Sequence, residues 1–405
     1  MADHTVAVLF GGRSVEHEVS VITGHQIMDA LKAAGYGVLP IYITKDGEWY
    51  AGDSLHNLKL FTDPAGEPTR APGGTHVSLS PDRSIRQLVL HPTARQGFFR
   101  KPPQLWADVF FPCLHGSFGE DGTLQGLFEL ADVPYVGAGV AASALAMDKA
   151  LTKALCRGAD IPILDWLVCS RTDWESKSTD VLERIEAFCD YPVIVKPVCL
   201  GSSIGVKRCG DRAALRGAVA AALVLDERVL IEEALTDFIE INCAVMGPPE
   251  QTSVCEQPMT SEAILSFDAK YKRGGKGAKQ PNKPSGMASL DRLIPAPISE
   301  ELTQRVQAYA AQAFRIIGAA GTARIDFLHR PADGILYLNE VNAIPGSMAF
   351  YLWEASGLPF DALVDKLVTM ALERHDLRRH TQFSFEVNLL RRKAEPAPEG
   401  SRRHA

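Results

Sequence analysis

Four residues on two short apolar stretches carry the sharpest chemical signal in the chain. In "YLNEVN" Glu340 and Asn342 stand two apart, and in "ARIDF" Arg324 and Asp326 do the same. On a strand, residues two apart share a face. Asp326, Glu340 and Asn342 then offer hard oxygen donors suited to Mg2+, which keeps waters and takes further ligands from phosphates. Burying such a carboxylate pair without a cation would be costly. The same spacing also fits residues at a sheet edge facing water.

A second group is rich in lysine and glycine. In "VIVKPVCLGSSIGV" an apolar strand delivers Lys196, and small residues follow from Gly201 to Gly205. Small residues let backbone N–H groups approach a phosphate, and a lysine adds a point charge. The stretch lacks the G-x-x-x-x-G-K-[ST] pattern, and an ordinary hairpin turn would read the same way. "MDKALTK" puts Lys149 near a helix start and Lys153 one turn on, where lysines are usually solvated. "IEEAL" ends a strand with Glu232 and Glu233, with Glu240 beyond. In an adenine pocket the backbone here would read the base edge, and a carboxylate could hold ribose hydroxyls; a solvated acidic turn is the plainer alternative. "GGRSVEHE" places Glu16 at a helix start, and "LHGSFGEDG" places His115 at a strand end. Ligands sit at the ends of parallel strands in open α/β sheets, although a first-turn carboxylate is also favoured by the helix dipole.

The elements that must position these residues begin with a βαβ unit. "TVAVLF" is an apolar run, "GGRS" breaks it, a helical pattern runs to Gly35, and "YGVLPIYIT" is a second strand. This predicts parallel strands. Residues 45–103 read as an elaboration of that domain, a small meander of short β-like runs. "ADVFFPCLHG" and "VPYVGAG" read as further strands of the first region. A second region starts near Met147, with a strand–loop–strand, the helix "DRAALRGAVAAALVLD" and the strand "RVLIEEAL". The third contains strands "IEINCAVMG", "TSVCEQP", "GTARIDFLHR" and "GILYLNEVN", a helix capped by Ser299, and a final helix through "LPFDALVDKLVTMALERHD". "YKRGGKGAKQPNKPSGMASL" reads as a long loop, either a plain surface loop or a functional or disordered one, and the tail "RRKAEPAPEGSRRHA" as disordered and basic.

The chain has 405 residues, long enough for two or three domains. At net charge -7 it does not suit a large nucleic-acid surface. The eight cysteines form no C-x-x-C pair, which argues against a zinc or thioredoxin-like site and suits reduced thiols in a cytoplasm. No signal peptide or membrane span is expected. One decoy stands out: "YVGAGVAASAL" contains G-x-G-x-x-A at Gly137, Gly139 and Ala142, as in dinucleotide-binding oxidoreductases. The N-terminal strand comes far earlier and has its own Gly turn.

"GGRSVEHEVS", "LHGSFGEDGTLQG", "YVGAGVAASALAMDK", "VIVKPVCLGSSIGV", "FDAKY", "ARIDF" and "LNEVNAIPGS" occur in this order. Together they resemble the D-alanine–D-alanine ligase family, over about residues 4–375 apart from 45–103 and 272–293. The resemblance implies an α/β (α+β) ATP-grasp fold of three domains: 1–147, an N-terminal α/β domain; 148–235, a central lid; 236–380, a metal-binding domain; with 381–405 a tail. It implies ATP and two Mg2+ or Mn2+ ions as cofactors, small-molecule substrates, no nucleic acid or membrane partner, a homodimer, and a cytoplasmic role in peptidoglycan synthesis. Lys149 and Lys196 would contact phosphates, Ser202 and Ser203 would lie on the phosphate-covering loop, and Lys270 would reach the γ-phosphate. Glu232 or Glu233, with Ala234 and Leu235, would line adenine, and Glu240 would hold ribose. Asp326, Glu340 and Asn342 would hold the metal ions. Glu16 would bind the first substrate's ammonium and join Ser202 and Tyr271 in closing the site. Arg324 and the Gly346 N–H would stabilise the oxyanion, with His115 and Ser347 on the substrate side. Tyr271 goes with an amine as second substrate. One departure is plain: Ser347 and Met348 follow Gly346 directly, where other members carry several more residues. Another carboxylate–amine ligase, with a different second substrate, is therefore the alternative.

Overall fold

The computed structural model describes residues 4–61, 74–85, 88–91, 105–259 and 292–385. Lys270, Tyr271, nearly all of the 272–293 loop and most of the tail lie outside the described residues. Three sheets organise the rest. The first begins with β1 (Thr5–Gly11), α1 (His17–Ala33) and β2 (Gly37–Ile43). β1 and β2 run parallel, Thr5 opposite Gly37, as the βαβ reading requires. β3 (Trp49–Ala51), β4 (Thr75–Leu79) and β5 (Leu88–Leu90) extend this sheet as an antiparallel meander. β6 (Val109–Pro112) pairs in parallel on the other side of β1. β1 is apolar and buried from Val6 onward because both faces of the sheet are covered. α2 (Thr123–Ala131) packs Leu124 and Phe128 on one face. On the other face α1 packs Ile27 and Met28.

"VPYVGAG" is not a strand. It makes a single bridge, Tyr135 to Phe110. Pro134 has no N–H to give to a ladder, and Gly137 turns the chain at φ +96°. The glycine pattern there serves packing: a Cβ on Gly321 would lie 2.8 Å from the Gly137 Cα. Gly139 then leads into α3 (Val140–Met147) and α4 (Lys149–Gly158).

The second sheet has the order β7–β10–β8–β9. Its elements are β7 (Trp166–Ser170), α5 (Arg171–Phe188), β8 (Val193–Pro197), β9 (Lys207–Cys209), α6 (Arg212–Leu225) and β10 (Arg228–Glu233). α5 and α6 cover it with a core of their own, including Leu182, Ile185, Leu215 and Val219. Asp211 caps α6 by accepting from the Ala214 N–H.

The third sheet comprises β11 (Ile239–Gly247), β12 (Gln251–Pro258), β13 (Arg292–Leu293), β14 (Gly321–Arg330) and β15 (Ile335–Asn342). Its order is β13–β12–β11–β14–β15. α7 (Glu300–Ile316) crosses between β13 and β14, and Ser299 caps it through the Leu302 N–H. α7 buries Val306 and Phe314 against this sheet. α8 (Phe350–Ala355) and α9 (Phe360–Arg379) then return to the first sheet. Trp353, Leu367 and Val368 share one core with Phe10, Ile27 and Met28. All eight cysteines are free thiols. Among the described residues no helix is long and apolar enough to cross a membrane.

Candidate active site

β1 ends in Gly11, Gly12 follows, and the turn after it carries Glu16 to the N-cap position just before α1. The Glu16 side chain does not cap its own helix. It accepts instead from the Ser202 hydroxyl, on the loop after β8. Two glycines allow that meeting. A Cβ on Gly116 would sit 2.7 Å from Glu16 Oε2, and one on Gly201 3.0 Å from the same oxygen. Ser202 and Ser203 both hold left-handed backbone, φ +53° and +57°, a conformation costly for any residue but glycine. The Gly–Ser stretch is thus a shaped loop folded onto the first domain. Lys149, at the start of α4, reaches the same loop and donates to the Leu200 carbonyl.

The two lysines of α4 are buried, against the solvated state usual for helix lysines. Lys153 is 1% exposed. Its Nζ lies 2.9 Å from one oxygen of Glu232, and Lys196 Nζ lies 2.5 Å from the other. Desolvation alone would raise the Glu232 pKa, but the two ammonium groups outweigh it and hold the carboxyl at about 2. Burial lowers the Lys153 pKa, and Glu232 opposes that shift. Lys196 also donates to Asn339 at 3.3 Å, which ties β8 to β15. Glu233 points away from this cluster, is exposed, and lies 3.7 Å from Arg330. Ala234 and Leu235 are buried at the end of β10, and the Ala234 N–H is bonded to the Pro192 carbonyl.

The antiparallel pair β14–β15 sets Arg324 opposite Asn342 and Asp326 opposite Glu340. Arg324 grips Asp326 with two hydrogen bonds, 2.7 and 2.6 Å. Asn342 Nδ2 donates to Asp326 at 3.0 Å. Asp326 and Arg324 are both buried, so the edge-facing-water reading fails for them. On the neighbouring β11, Asn242 donates to Glu240 and to Glu256, each at 3.2 Å. Two carboxylates and one amide oxygen on a single face fit a divalent ion that completes its shell with phosphate and water. Among the described residues no cluster of three or more His, Cys, Asp or Glu could replace that set.

Lys149, Leu200, Gly201, Glu340 and Asn342 line one cleft. Glu120 is also in its wall, and sequence reasoning missed it although "HGSFGEDG" was in view. Its carboxylate accepts from the Gly116 N–H at 2.8 Å and the Ile344 N–H at 3.2 Å. Desolvation pushes its pKa up to about 8, and the charge of Glu16 adds to the shift. No motif marks a residue whose partners are two backbone amides, one in its own loop and one far along the chain. Nearby, His115 Nε2 lies 2.9 Å from the Thr23 hydroxyl, and Thr23 Oγ1 accepts from the Ser347 N–H at 3.2 Å. Burial lowers the His115 pKa to about 4. Ser347, Met348 and Ala349 form a tight turn with φ of +53°, +54° and +49° directly after Gly346.

The site therefore gathers a lysine-lined cradle, a carboxylate–amide face and an acidic pair, Glu16 buried and Glu120 half-buried, at one junction of three sheets. Residues 5–138 match the family model described as D-ala D-ala ligase N-terminus, and residues 155–369 that described as D-ala D-ala ligase C-terminus. A D-alanine--D-alanine ligase of Thermosipho africanus is 35% identical over 391 residues, 96% of this chain and 99% of that protein. The enzyme of the same name from Heliobacterium modesticaldum is 39% identical over 381 residues, 93% of this chain and 96% of its own. Among solved structures, the D-alanine-D-alanine ligase from Coxiella burnetii superposes with a TM-score of 0.74 at 30% identity, covering 93% of this chain and 96% of its own. The VanG D-Ala:D-Ser ligase from Enterococcus faecalis superposes at 0.73 and 30% identity, covering 91% and 99%.

Proposed function

Because the chain belongs to the D-alanine–D-alanine ligase family, an ATP-grasp fold, we propose that it joins two D-alanines into D-alanyl-D-alanine for peptidoglycan precursors, with ATP converted to ADP and phosphate. The observation that carries this reading is the convergence on one cleft of Lys149, Gly201, Glu340 and Asn342. That cleft offers a lysine and small residues to a triphosphate beside oxygen donors for its metal.

The chemistry asks for two displacements. A carboxylate oxygen of the first D-alanine attacks the γ-phosphorus, and ADP leaves. The amine of the second then attacks the acyl carbon, loses a proton, and expels phosphate with the oxygen that bridged it. In the first step Lys149 and Lys196 offset charge on the transferring phosphoryl group, with Lys270 a third cation. Glu16 holds the first ammonium, and its bond to Ser202 draws the Gly–Ser loop over the substrate; Tyr271 completes that set and Ser203 lies beside it. Glu232 faces inward, so it is the adenine-side carboxylate, with Ala234 and Leu235 beneath the base and Glu240 at the ribose. Asp326, Glu340 and Asn342 would hold two Mg2+ or Mn2+ ions, which supply Lewis-acid stabilisation of the phosphates when bound. In the second step Arg324 and the Gly346 N–H donate to the oxyanion. His115 and Ser347 stand beside that position. An acyl phosphate hydrolyses in water, so the closed loop also protects the intermediate.

The same reading divides the chain into units 1–147, 148–235 and 236–380 and places it in the cytoplasm as a homodimer. A second reading, in which the acceptor is another small amino acid such as D-serine, is favoured by the short 346–353 segment. Product mass decides between them. The protein is supplied with ATP, Mg2+, D-alanine and an equimolar competitor (D-serine, D-lactate or L-alanine). D-Alanyl-D-alanine as the main product supports the first reading. A mixed dipeptide or depsipeptide as the main product moves the chain to the second.

A further inference from the structure

A hydrogen-bonded chain through Thr23, a residue with no role above, begins and ends on the same loop. The Ser347 N–H donates to Thr23 Oγ1 at 3.2 Å, so that oxygen's own proton is available for His115 Nε2, 2.9 Å away. The far side of the imidazole hydrogen-bonds the backbone of Ile344, a contact that favours protonation as a carbonyl acceptor does. These partners assign the tautomer: Nδ1 carries the proton and Nε2 accepts. Thr23 and His115 are buried, 1% and 4% exposed, and so is Ser347. The Ile344 N–H is held separately by Glu120 at 3.2 Å. Residues 344–347 are therefore gripped from three points of the first domain: α1, the loop after β6, and the turn before α2.

What the grip holds is strained. Three consecutive non-glycine residues after Gly346 occupy left-handed backbone, a conformation that costs energy for any residue but glycine. Such a turn persists only where its surroundings over-determine it. Its nearest side-chain anchor is Thr23, the one hydroxyl that joins the Ser347 amide to the imidazole.

We propose that Thr23 is a positioning residue for the second chemical step: with His115 it fixes the Gly346–Ser347 backbone so that the Gly346 amide faces the developing oxyanion. His115 in this arrangement spends both ring nitrogens on protein partners and acts on substrate only through the loop. The inference rests on the ligase reading above, which gives Gly346 its role.

The test compares T23V, T23A and T23S with the unaltered chain. Three readouts are taken: dipeptide formation, KM for ATP, and amide exchange of the peptide covering residues 344–349. T23V and T23A should lower kcat by about 10- to 100-fold, the loss expected from a misplacement near 1 Å. KM for ATP should stay within about twofold, since the nucleotide cradle is untouched. Exchange of the 344–349 peptide should speed up, and T23S should recover most of both changes. T23V or T23A with near-normal kcat would overturn the proposal. So would equal losses in T23V and T23S. If T23V does not fold, T23A and T23S carry the comparison. Failure of the unaltered chain to make any dipeptide would sink the ligase reading instead, an outcome separate from these.

Discussion

Glycine at 116 is required by the atoms around it. Its φ is +75°, and a Cβ there would meet Ser14 Oγ at 2.5 Å and Glu16 Oε2 at 2.7 Å. G116A should therefore push Glu16 away from Ser202 and raise the KM for D-alanine by about tenfold or more, with KM for ATP nearly unchanged; steady-state kinetics in each substrate reads both. Glu232 makes a different kind of demand. Its carboxylate bridges Lys153 and Lys196, and removing one partner of a buried ion cluster leaves uncompensated charge. E232Q should lose about 3 kcal/mol or more in urea unfolding at neutral pH. Its contribution is present above the ordinary carboxyl value and fades as pH falls through about 2. His115 acts in the same sense, in a higher pH window. Its folded pKa is about 4 against 6.5 in the free state, so the unfolded chain takes up a proton that the native state refuses. Stability should fall as pH drops from about 6.5 to 4, and H115N should flatten that slope in thermal melts. Had the imidazole titrated normally, the two slopes would coincide.

Elements differ in how far the sequence alone discloses them. β1, α1 and β2 are legible because an unbroken apolar run, a glycine turn and a 3.6-residue period occur in succession. The pair β14–β15 is legible too, since strand periodicity alone puts Asp326, Glu340 and Asn342 on their faces. α5 is not. Of its 18 residues only Val181, Leu182 and Ile185 are buried, so no continuous apolar stripe announces it. The cluster of Lys153, Lys196 and Glu232 was equally hidden, because its members come from α4, β8 and β10 and meet only through tertiary packing. So was Glu120, whose partners are backbone amides. The turn at 346–349 is a third case. Its sequence, Gly-Ser-Met-Ala, carries none of the Asn or Asp that favour left-handed backbone, and the tertiary anchors described above impose it. A349G should accordingly raise stability by about 1 kcal/mol, since glycine adopts φ near +49° without penalty. A melting temperature that drops instead would mean that the Ala349 methyl, fully buried, matters more than the strain.

The whole molecule divides its cores unequally. The first sheet and helices α8 and α9 share one hydrophobic cluster with residues of β11 such as Ala244 and Met246. The second sheet has a separate cluster closed by α5 and α6. Cores that share side chains open together, whereas a separate core can open alone. Hydrogen exchange of the substrate-free protein should therefore show β7–β10 opening with a smaller free energy than β1, β2 and β11. ATP with Mg2+ should slow exchange in β8 and β10, because a ligand stabilises the state it binds. Equal exchange across all three sheets, with no response to nucleotide, would contradict that division.

The central claim is that a D-alanine carboxylate is activated as an acyl phosphate before the second amine attacks. The most direct measurement uses D-alanine carrying 18O in both carboxylate oxygens, with ATP and Mg2+, and reads the isotope content of the released phosphate. The account predicts one 18O in each phosphate and one in the peptide carbonyl for every dipeptide formed. Dipeptide formation with unlabelled phosphate, or with AMP as the nucleotide product, would contradict it.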